Sequence, residues 1–186
     1  MKLSKKAGIA IPAVAAAIAL AAALAPQLIQ RGVTAFGTSD RFASQHFAII
    51  PDSISSGSTF QVEGSRKAIT VSLCGIEALG KGHPLEMQAR DRLQGLLDRG
   101  NGNVALIPVT RDGRTQMVAE AFILLPGVPR ELHLNSQMLS GGMAQADKQT
   151  IETCPNGGPM QRAASAAIQQ ANGVWAKPIA DNPLSQ

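Results

Sequence analysis

The sequence has no tyrosine, and aromatic residues make up only 3% of its 186 positions. A protein that binds single strands by stacking bases on aromatic rings would have almost nothing for the bases to stack on. Charged residues are also few, at 16%, against 45% apolar residues. The composition therefore argues against an aromatic nucleic-acid surface, and the length suits one modest domain with an appendage.

Acidic residues are missing from the first 35 positions, which hold Lys2, Lys5, Lys6 and Arg31. These four account for the whole net charge of +4, because the rest of the chain has equal numbers of basic and acidic residues. A net charge of zero gives no general attraction to phosphate backbones. Nucleic acid is therefore disfavoured as a partner, and an unknown protein or small ligand is predicted instead.

The stretch from Ala7 to Ala25 carries no charge and consists mostly of alanine and aliphatic residues. Extended to Gln30 it is long enough to cross a bilayer as a helix, and lysines precede it. Two interpretations stay open: a membrane anchor through residues 7–30, or a signal peptide, although no good cleavage site follows. Both predict an extracytoplasmic domain, anchored or secreted, with residues 1–35 as signal or anchor and 36–45 as linker.

From residue 46 to 177 the pattern predicts a mainly β domain, followed by a loose tail over 178–186. Alternating apolar residues between turn signals indicate strands, and apolar residues at helical spacing indicate helices. The predicted strands are His46–Ile50, Thr59–Val62, Ile69–Leu73, Val104–Val109 and Gln116–Leu125. The predicted helices are Pro84–Arg99, Leu134–Leu139 and Pro159–Asn172, the last with Ile168 and Ala171 among its inward residues. This order is compatible with a five-stranded barrel packed with helices.

Several motifs occur in a fixed order along this domain. They are Val71-Ser72-Leu73-Cys74-Gly75-Ile76-Glu77-Ala78, Gln88-Ala89-Arg90-Asp91, Arg111-Asp112-Gly113-Arg114-Thr115, Val118-Ala119-Glu120-Ala121-Phe122, Leu134-Asn135, Gly142-Met143-Ala144, Cys154-Pro155 and Gly173-Val174-Trp175. Together they resemble the staphylococcal-nuclease-like (thermonuclease) family over residues 46–177. The resemblance implies an α+β fold, a five-stranded OB-type β-barrel with three packed helices.

The resemblance also implies a chemistry, the calcium-dependent hydrolysis of nucleic-acid phosphodiester bonds. Calcium needs carboxylate oxygens, and the transition state needs a base and cationic clamps. The resemblance places one metal-binding aspartate on Ser58, the other on Glu77, the general base on Gly80 and the first arginine on Ser72. The second arginine is kept as Arg114, which the sequence alone can also explain as a turn residue paired with an acidic neighbour.

These changes predict an exported thermonuclease-like domain with a degenerate active site, acting as a non-catalytic binding or structural module. No cofactor is expected, and no metal unless Glu77 binds one, since a single carboxylate rarely holds Ca²⁺. The alternative is a divalent-metal-dependent extracytoplasmic nuclease, built around Glu77 and Arg114, that would need Ca²⁺. Asp52 as a substitute ligand is disfavoured because it would lie at the wrong strand position.

The only two cysteines, Cys74 and Cys154, lie in a chain predicted to reach an oxidising compartment. We therefore predict a disulfide between them, which would join the end of the third strand to the segment before the last helix. Two separate buried thiols are the alternative. The three histidines, His46, His83 and His133, are scattered without zinc-ligand spacing and are predicted to be surface or turn residues.

Overall fold

A curled β-sheet packed against three helices makes up the described part of the chain, residues 44–127 and 129–176 of a computed structural model. The strands are β1 (Gln45–Ala48), β2 (Thr59–Val62), β3 (Ile69–Leu73), β4 (Ile76–Ala78), β5 (Asn103–Asp112), β6 (Gln116–Leu124), β7 (Glu131–His133) and β8 (Ala144–Ala146). The helices are α1 (Glu86–Leu97), α2 (Leu134–Ser140) and α3 (Gly157–Gln169). Residues 1–43, which include the predicted signal or anchor, and the tail over 178–186 lie outside the described residues.

The main sheet follows the strand order β1-β5-β6-β3-β2, and β7 pairs with the far half of β6. The β3 and β6 strands run parallel, with Ser72 opposite Val118, while the other neighbours are antiparallel. The two outer strands of this order, β1 and β2, also contact each other at their ends. The Ile50 N–H donates to the Gln61 carbonyl, and the Glu63 N–H donates to the Ala48 carbonyl. The predicted α+β fold, an OB-type barrel of five strands with three helices, is confirmed.

Side chains on one face of each long strand point into the interior of the curled sheet. In β6, Met117, Ala119, Ala121 and Ile123 are buried at alternate positions, as strand geometry requires. The buried face of α1, Ala89, Leu93, Leu96 and Leu97, packs onto the same core. The predicted helix over Pro84–Arg99 is therefore confirmed as α1, which covers one side of the barrel.

Two predictions about the last helix are wrong. The helix α3 ends at Gln169, three residues before Asn172, and its side chain Ile168 is 53% exposed. Ala171 follows the helix with a φ of 52° and is exposed. The alanine-rich sequence keeps a helical spacing past the real end, so the pattern alone does not mark where the backbone leaves the helix.

Three short strands were not predicted. The strands β4 and β8 pair with each other as a separate two-stranded sheet, and β7 adds to β6. Each has only three residues, which is too short for alternation to show in the sequence. Within the described ranges, no helix has the length and apolar character to cross a membrane.

Candidate functional site

The loop before β2 carries the serine-rich segment to which the family resemblance assigns the metal-binding motif. A Cβ added at Gly57 would lie 2.8 Å from the Cβ of Ala89 in α1, so the loop packs tightly against that helix. The Ser58 side chain is buried and its hydroxyl lies 3.4 Å from that of Ser56, whose oxygen also accepts the Ser58 N–H. The loop thus presents two neutral hydroxyls in a fixed geometry.

The position of the first family arginine lies next to this loop. Ser72 in β3 is opposite Thr59 in β2, and the Leu73 N–H donates to the Ser58 carbonyl over 2.9 Å. The structure therefore places Ser58, in the loop before β2, beside Leu73, the residue that follows Ser72. Neither serine side chain carries a charge, so these two positions supply no cation to contact a phosphate.

Glu77 and Gly80 lie in and just after β4, and both are exposed. Glu77 is opposite Gln145 of β8, and nothing lies within 4 Å of a Cβ built at Gly80. At the end of β4, Ala78 is opposite Ala144 of β8. The residue before Ala144, Met143, has its carbonyl oxygen 3.5 Å from a Cβ built at Gly57 in the serine loop. These contacts place the end of β4 on the same side of the barrel as the serine loop.

Arg114 lies elsewhere, in the turn between β5 and β6. The Thr70 N–H at the start of β3 donates to the Thr115 carbonyl, so this turn is beside the first residues of β3, whereas Ser72 and Glu77 lie near and beyond its last residues. No strand pairing or hydrogen bond within the described part of the chain joins Arg114 to Ser58 or Ser72. In the described residues no carboxylate lies within 4.0 Å of its guanidinium, and its role as a phosphate contact stays a prediction.

A buried carboxylate that sequence reasoning did not single out lies on the outer face of β6. Glu120 is fully buried, and its two oxygens accept the backbone N–H and the side-chain amide of Asn156, each over 2.6 Å. Asn156 is the residue before α3, so the carboxylate fixes the start of that helix. The signal in the sequence was a single acid inside an otherwise apolar strand.

His133 packs beside this carboxylate, which makes its prediction as a surface or turn residue wrong. Its ring stacks on Phe122 with centroids 4.5 Å apart, and its Nδ1 lies 2.8 Å from the Ser136 hydroxyl. Its Nε2 is buried, has no hydrogen-bond partner, and is 3.7 Å from Glu120 Oε2. Burial lowers the pKa of His133 to about 4, because the charged imidazolium would lose its hydration.

The predicted disulfide between Cys74 and Cys154 is confirmed, with Cα atoms 6.1 Å apart. It joins the end of β3 to the segment that leads into α3. Next to it, Gly75 has a φ of 69° and no room for a side chain, because a Cβ there would lie 2.8 Å from the Cys154 sulfur. The amide of Asn135 donates to the Cys74 carbonyl and accepts the Ala121 N–H, which ties α2 to the same region.

Carboxylates are few among the positions that the family motif assigns. Over the described ranges, no group of three histidine, cysteine, aspartate or glutamate residues is close enough to hold a metal ion. Glu77 is the only acid among the positions that the family motif assigns. The arrangement offers hydroxyls and one exposed carboxylate, which is a weak donor set for a hard divalent cation.

The comparisons with known proteins give one relevant relative. No protein-family model matches the chain. The Micrococcal nuclease of Shigella flexneri is 33% identical over 128 residues, a match that covers 68% of this chain and 72% of the relative. Since more than two thirds of each chain is matched, the similarity concerns a whole domain rather than an isolated motif.

Proposed function

This chain belongs to the staphylococcal-nuclease-like family, and we propose that it is an exported member with a degenerate nuclease site, serving as a binding or structural module. The observation that carries the proposal is the proximity of Ser58 and Ser72 at one end of the β2–β3 hairpin, where Ser72 is opposite Thr59 and the Leu73 N–H donates to the Ser58 carbonyl. The family resemblance assigns a metal ligand and a cationic clamp to these two positions. Both have become neutral hydroxyls.

The size of the expected loss supports the same proposal. Removing a general base costs about 10²- to 10⁴-fold in rate, and removing one donor that stabilises the transition-state charge costs about 10²- to 10³-fold. Gly80 offers no base, Ser72 no clamp and Ser58 no metal ligand. These groups act together, so the loss of all three leaves no useful route to hydrolysis.

The disulfide and the uncharged N-terminal segment both support export. A disulfide such as Cys74–Cys154 persists in an oxidising compartment, and the uncharged segment over residues 7–30 suits a signal or an anchor. The binding partner in that compartment is proposed to be a protein or a small ligand, since the chain after residue 35 has no net charge to attract a nucleic acid.

The test is hydrolysis of DNA and RNA by the purified full-length protein with Ca²⁺. We expect no cleavage by the unmodified chain and detectable cleavage by the triple variant Ser58→Asp, Ser72→Arg and Gly80→Glu. The glutamate has room, because the space around Gly80 is open. Adding Glu77→Gln to the triple variant is the matched control and should remove the recovered activity.

The opposite result would be calcium-dependent hydrolysis by the unmodified chain. If Arg114→Ala or Glu77→Gln then abolished that activity, the proposal would be replaced by the alternative of a working extracytoplasmic nuclease. If the activity survived both substitutions, it would come from a contaminating enzyme. The assay would then be repeated on a preparation free of that enzyme.

A further inference from the structure

The pair Asn-Gly occurs three times in the described part of the chain, at Asn101-Gly102, Asn156-Gly157 and Asn172-Gly173. A glycine after asparagine has no Cβ to shield its backbone nitrogen, and it lets the backbone rotate freely. That nitrogen can then reach the side-chain carbonyl carbon of the asparagine, which starts spontaneous deamidation. Because the pair itself is the same at all three places, a large difference in reactivity between them must come from the fold.

The reaction consumes only water. The backbone nitrogen of the glycine bonds to the asparagine Cγ, the Cγ–Nδ2 bond breaks, and ammonia leaves with the proton that the backbone nitrogen gives up. Water then opens the cyclic imide at one of its two carbonyls. Opening at the side-chain carbonyl gives aspartate, and opening at the backbone carbonyl gives isoaspartate, whose backbone is longer by one carbon. The attack therefore requires a free backbone N–H, a free side-chain amide and room to rotate.

Asn101 meets these three conditions. It lies with Gly102 in the turn between α1 and β5, where both residues are exposed and have left-handed backbone, with φ of 51° and 77°. Among the described residues, neither the side-chain amide of Asn101 nor the N–H of Gly102 makes a hydrogen bond. Nothing lies within 4 Å of a Cβ built at Gly102, so the backbone has space to turn.

Asn156 is held in place by the buried Glu120 carboxylate. Its Nδ2, the leaving group of the reaction, donates to Glu120 Oε2, and its own N–H donates to Oε1, each over 2.6 Å. The attacking nitrogen is also engaged, since the N–H of the buried Gly157 donates to the Cys154 carbonyl over 3.0 Å. The carboxylate would in addition repel the negative charge that develops on the asparagine oxygen during the attack. The fold therefore protects this pair.

Asn172 is protected by hydrogen bonds and close packing. Its Nδ2 donates to the Ser140 carbonyl over 2.9 Å and to Gln170 Oε1 over 3.1 Å. Gly173 lies directly against Gly142, because a Cβ built at Gly173 would overlap the Gly142 carbonyl oxygen. Rotation toward the cyclic imide would break the two hydrogen bonds and press the backbone into its neighbour.

We propose that Asn101 is a site of spontaneous deamidation and that the fold protects the other two pairs. The Gly102 carbonyl accepts the Ile49 N–H over 2.9 Å, just after β1. Isoaspartate at position 101 lengthens the backbone next to that bond. Either product also adds a negative charge beside the groove that Gly102 lines together with Asp52 and Asp98, and like charges repel. The modification therefore weakens the contact between the end of β1 and this turn.

The test is peptide mapping by mass spectrometry of the full-length protein, aged in non-ionic detergent at mildly alkaline pH. We expect Asn101 to react at least about tenfold faster than Asn156 or Asn172, since each hydrogen bond that must break first slows the attack by about tenfold. In a parallel sample, unfolded in guanidinium chloride with the disulfide reduced, the three rates should become similar. The melting temperature of the folded sample should fall as Asn101 is modified.

The matched control is Asn101→Gly, which keeps a residue suited to the left-handed backbone and removes the reactive amide. Its melting temperature should not fall on ageing. Three results would overturn the proposal. The first is a rate at Asn101 no higher than at the other two pairs in the folded protein, and the second is an unchanged ratio of rates after unfolding. The third is an unchanged melting temperature when Asn101 is fully modified, which would remove the inferred effect on the end of β1.

Discussion

At the scale of single residues, His133 links protonation to stability. Its pKa is near 6.5 when unfolded and about 4 in the folded chain, because burial deprives the charged imidazolium of its hydration. Between pH 6.5 and pH 4 the unfolded state binds more protons, so a falling pH favours unfolding. The contribution to stability is complete above about pH 6.5 and about 3 kcal/mol of it is lost by pH 4.

We expect His133→Gln to flatten the dependence of unfolding free energy on pH in this window. Urea unfolding at pH 7, 5.5 and 4.5 measures the slope, and the control His46→Gln removes an exposed histidine from β1. An unchanged slope in the His133 variant would contradict the assignment of this pH dependence to His133.

Single residues also show how far the sequence could be read. The differences from the family motif at Ser58, Ser72 and Gly80 were readable because a motif fixes residue order, and the fold then put the two serines at the same end of the β2–β3 hairpin. The position of Arg114 was not, since order along the chain does not say which end of a hairpin a residue occupies. Nor was the burial of Glu120, whose partner Asn156 is 36 residues away.

Charge shows the same limit. A net charge of zero after residue 35 was readable from the sequence, but it averages over the whole domain. Arg66 and Lys67, in the loop between β2 and β3, line the same pocket as Arg111 and Arg114, at the turn between β5 and β6. The parallel pairing of β3 and β6 brings these two hairpin tips together. A local cluster of cations is therefore hidden in a neutral total.

At the scale of elements, the strands β2 and β3 have the predicted bounds, and β5 and β6 differ by a few residues at their ends. These strands alternate over enough residues for the period of two to be visible. The short pair β4 and β8 forms only because the chain beyond α2 returns to that side, and that return depends on packing. Tertiary contacts thus decide the elements that local pattern leaves unmarked.

The disulfide that links β3 to the segment before α3 gives a prediction at the scale of elements. The disulfide Cys74–Cys154 closes a long loop, and the chain-entropy argument gives it about 4 kcal/mol of stability. Replacing both cysteines by alanine should lower the melting temperature by about 10 °C. A reducing agent should lower the melting temperature of the unmodified protein to a similar extent and leave the double variant unchanged.

Two measurements could refute this prediction. A mass spectrum of the non-reduced protein that shows two free thiols would remove its premise. A melting temperature of the oxidised protein that does not respond to a reductant, with the bond shown to be cleaved, would mean that the native contacts around Gly75 and Asn135 hold the elements together without it.

At the scale of the whole molecule, the prediction concerns location. The three lysines before the uncharged segment should hold the N-terminal end in the cytoplasm, and the rest of the chain should lie outside. Protease added to intact spheroplasts that express the protein should digest the domain. Removing the charge with Lys2→Gln, Lys5→Gln and Lys6→Gln should reduce the accessible fraction.

A cytoplasmic marker protein that survives the same treatment controls for lysis. Complete protection of the domain, in cells where a known exported protein is digested, would place it in the cytoplasm and contradict the prediction of export.

The closure of the barrel also bears on how the molecule behaves in a crowded solution. An unpaired strand at the border of a sheet is a template on which another chain can add, and long exposed borders lead to aggregation. Here the last residues of β1 and the strand β2 bond to each other through Ile50 and Glu63, so the two borders of the five-strand order satisfy one another at that point. A substitution that blocks this contact, such as Ile50→Pro, would expose two strand borders at once and make the chain a candidate for strand exchange.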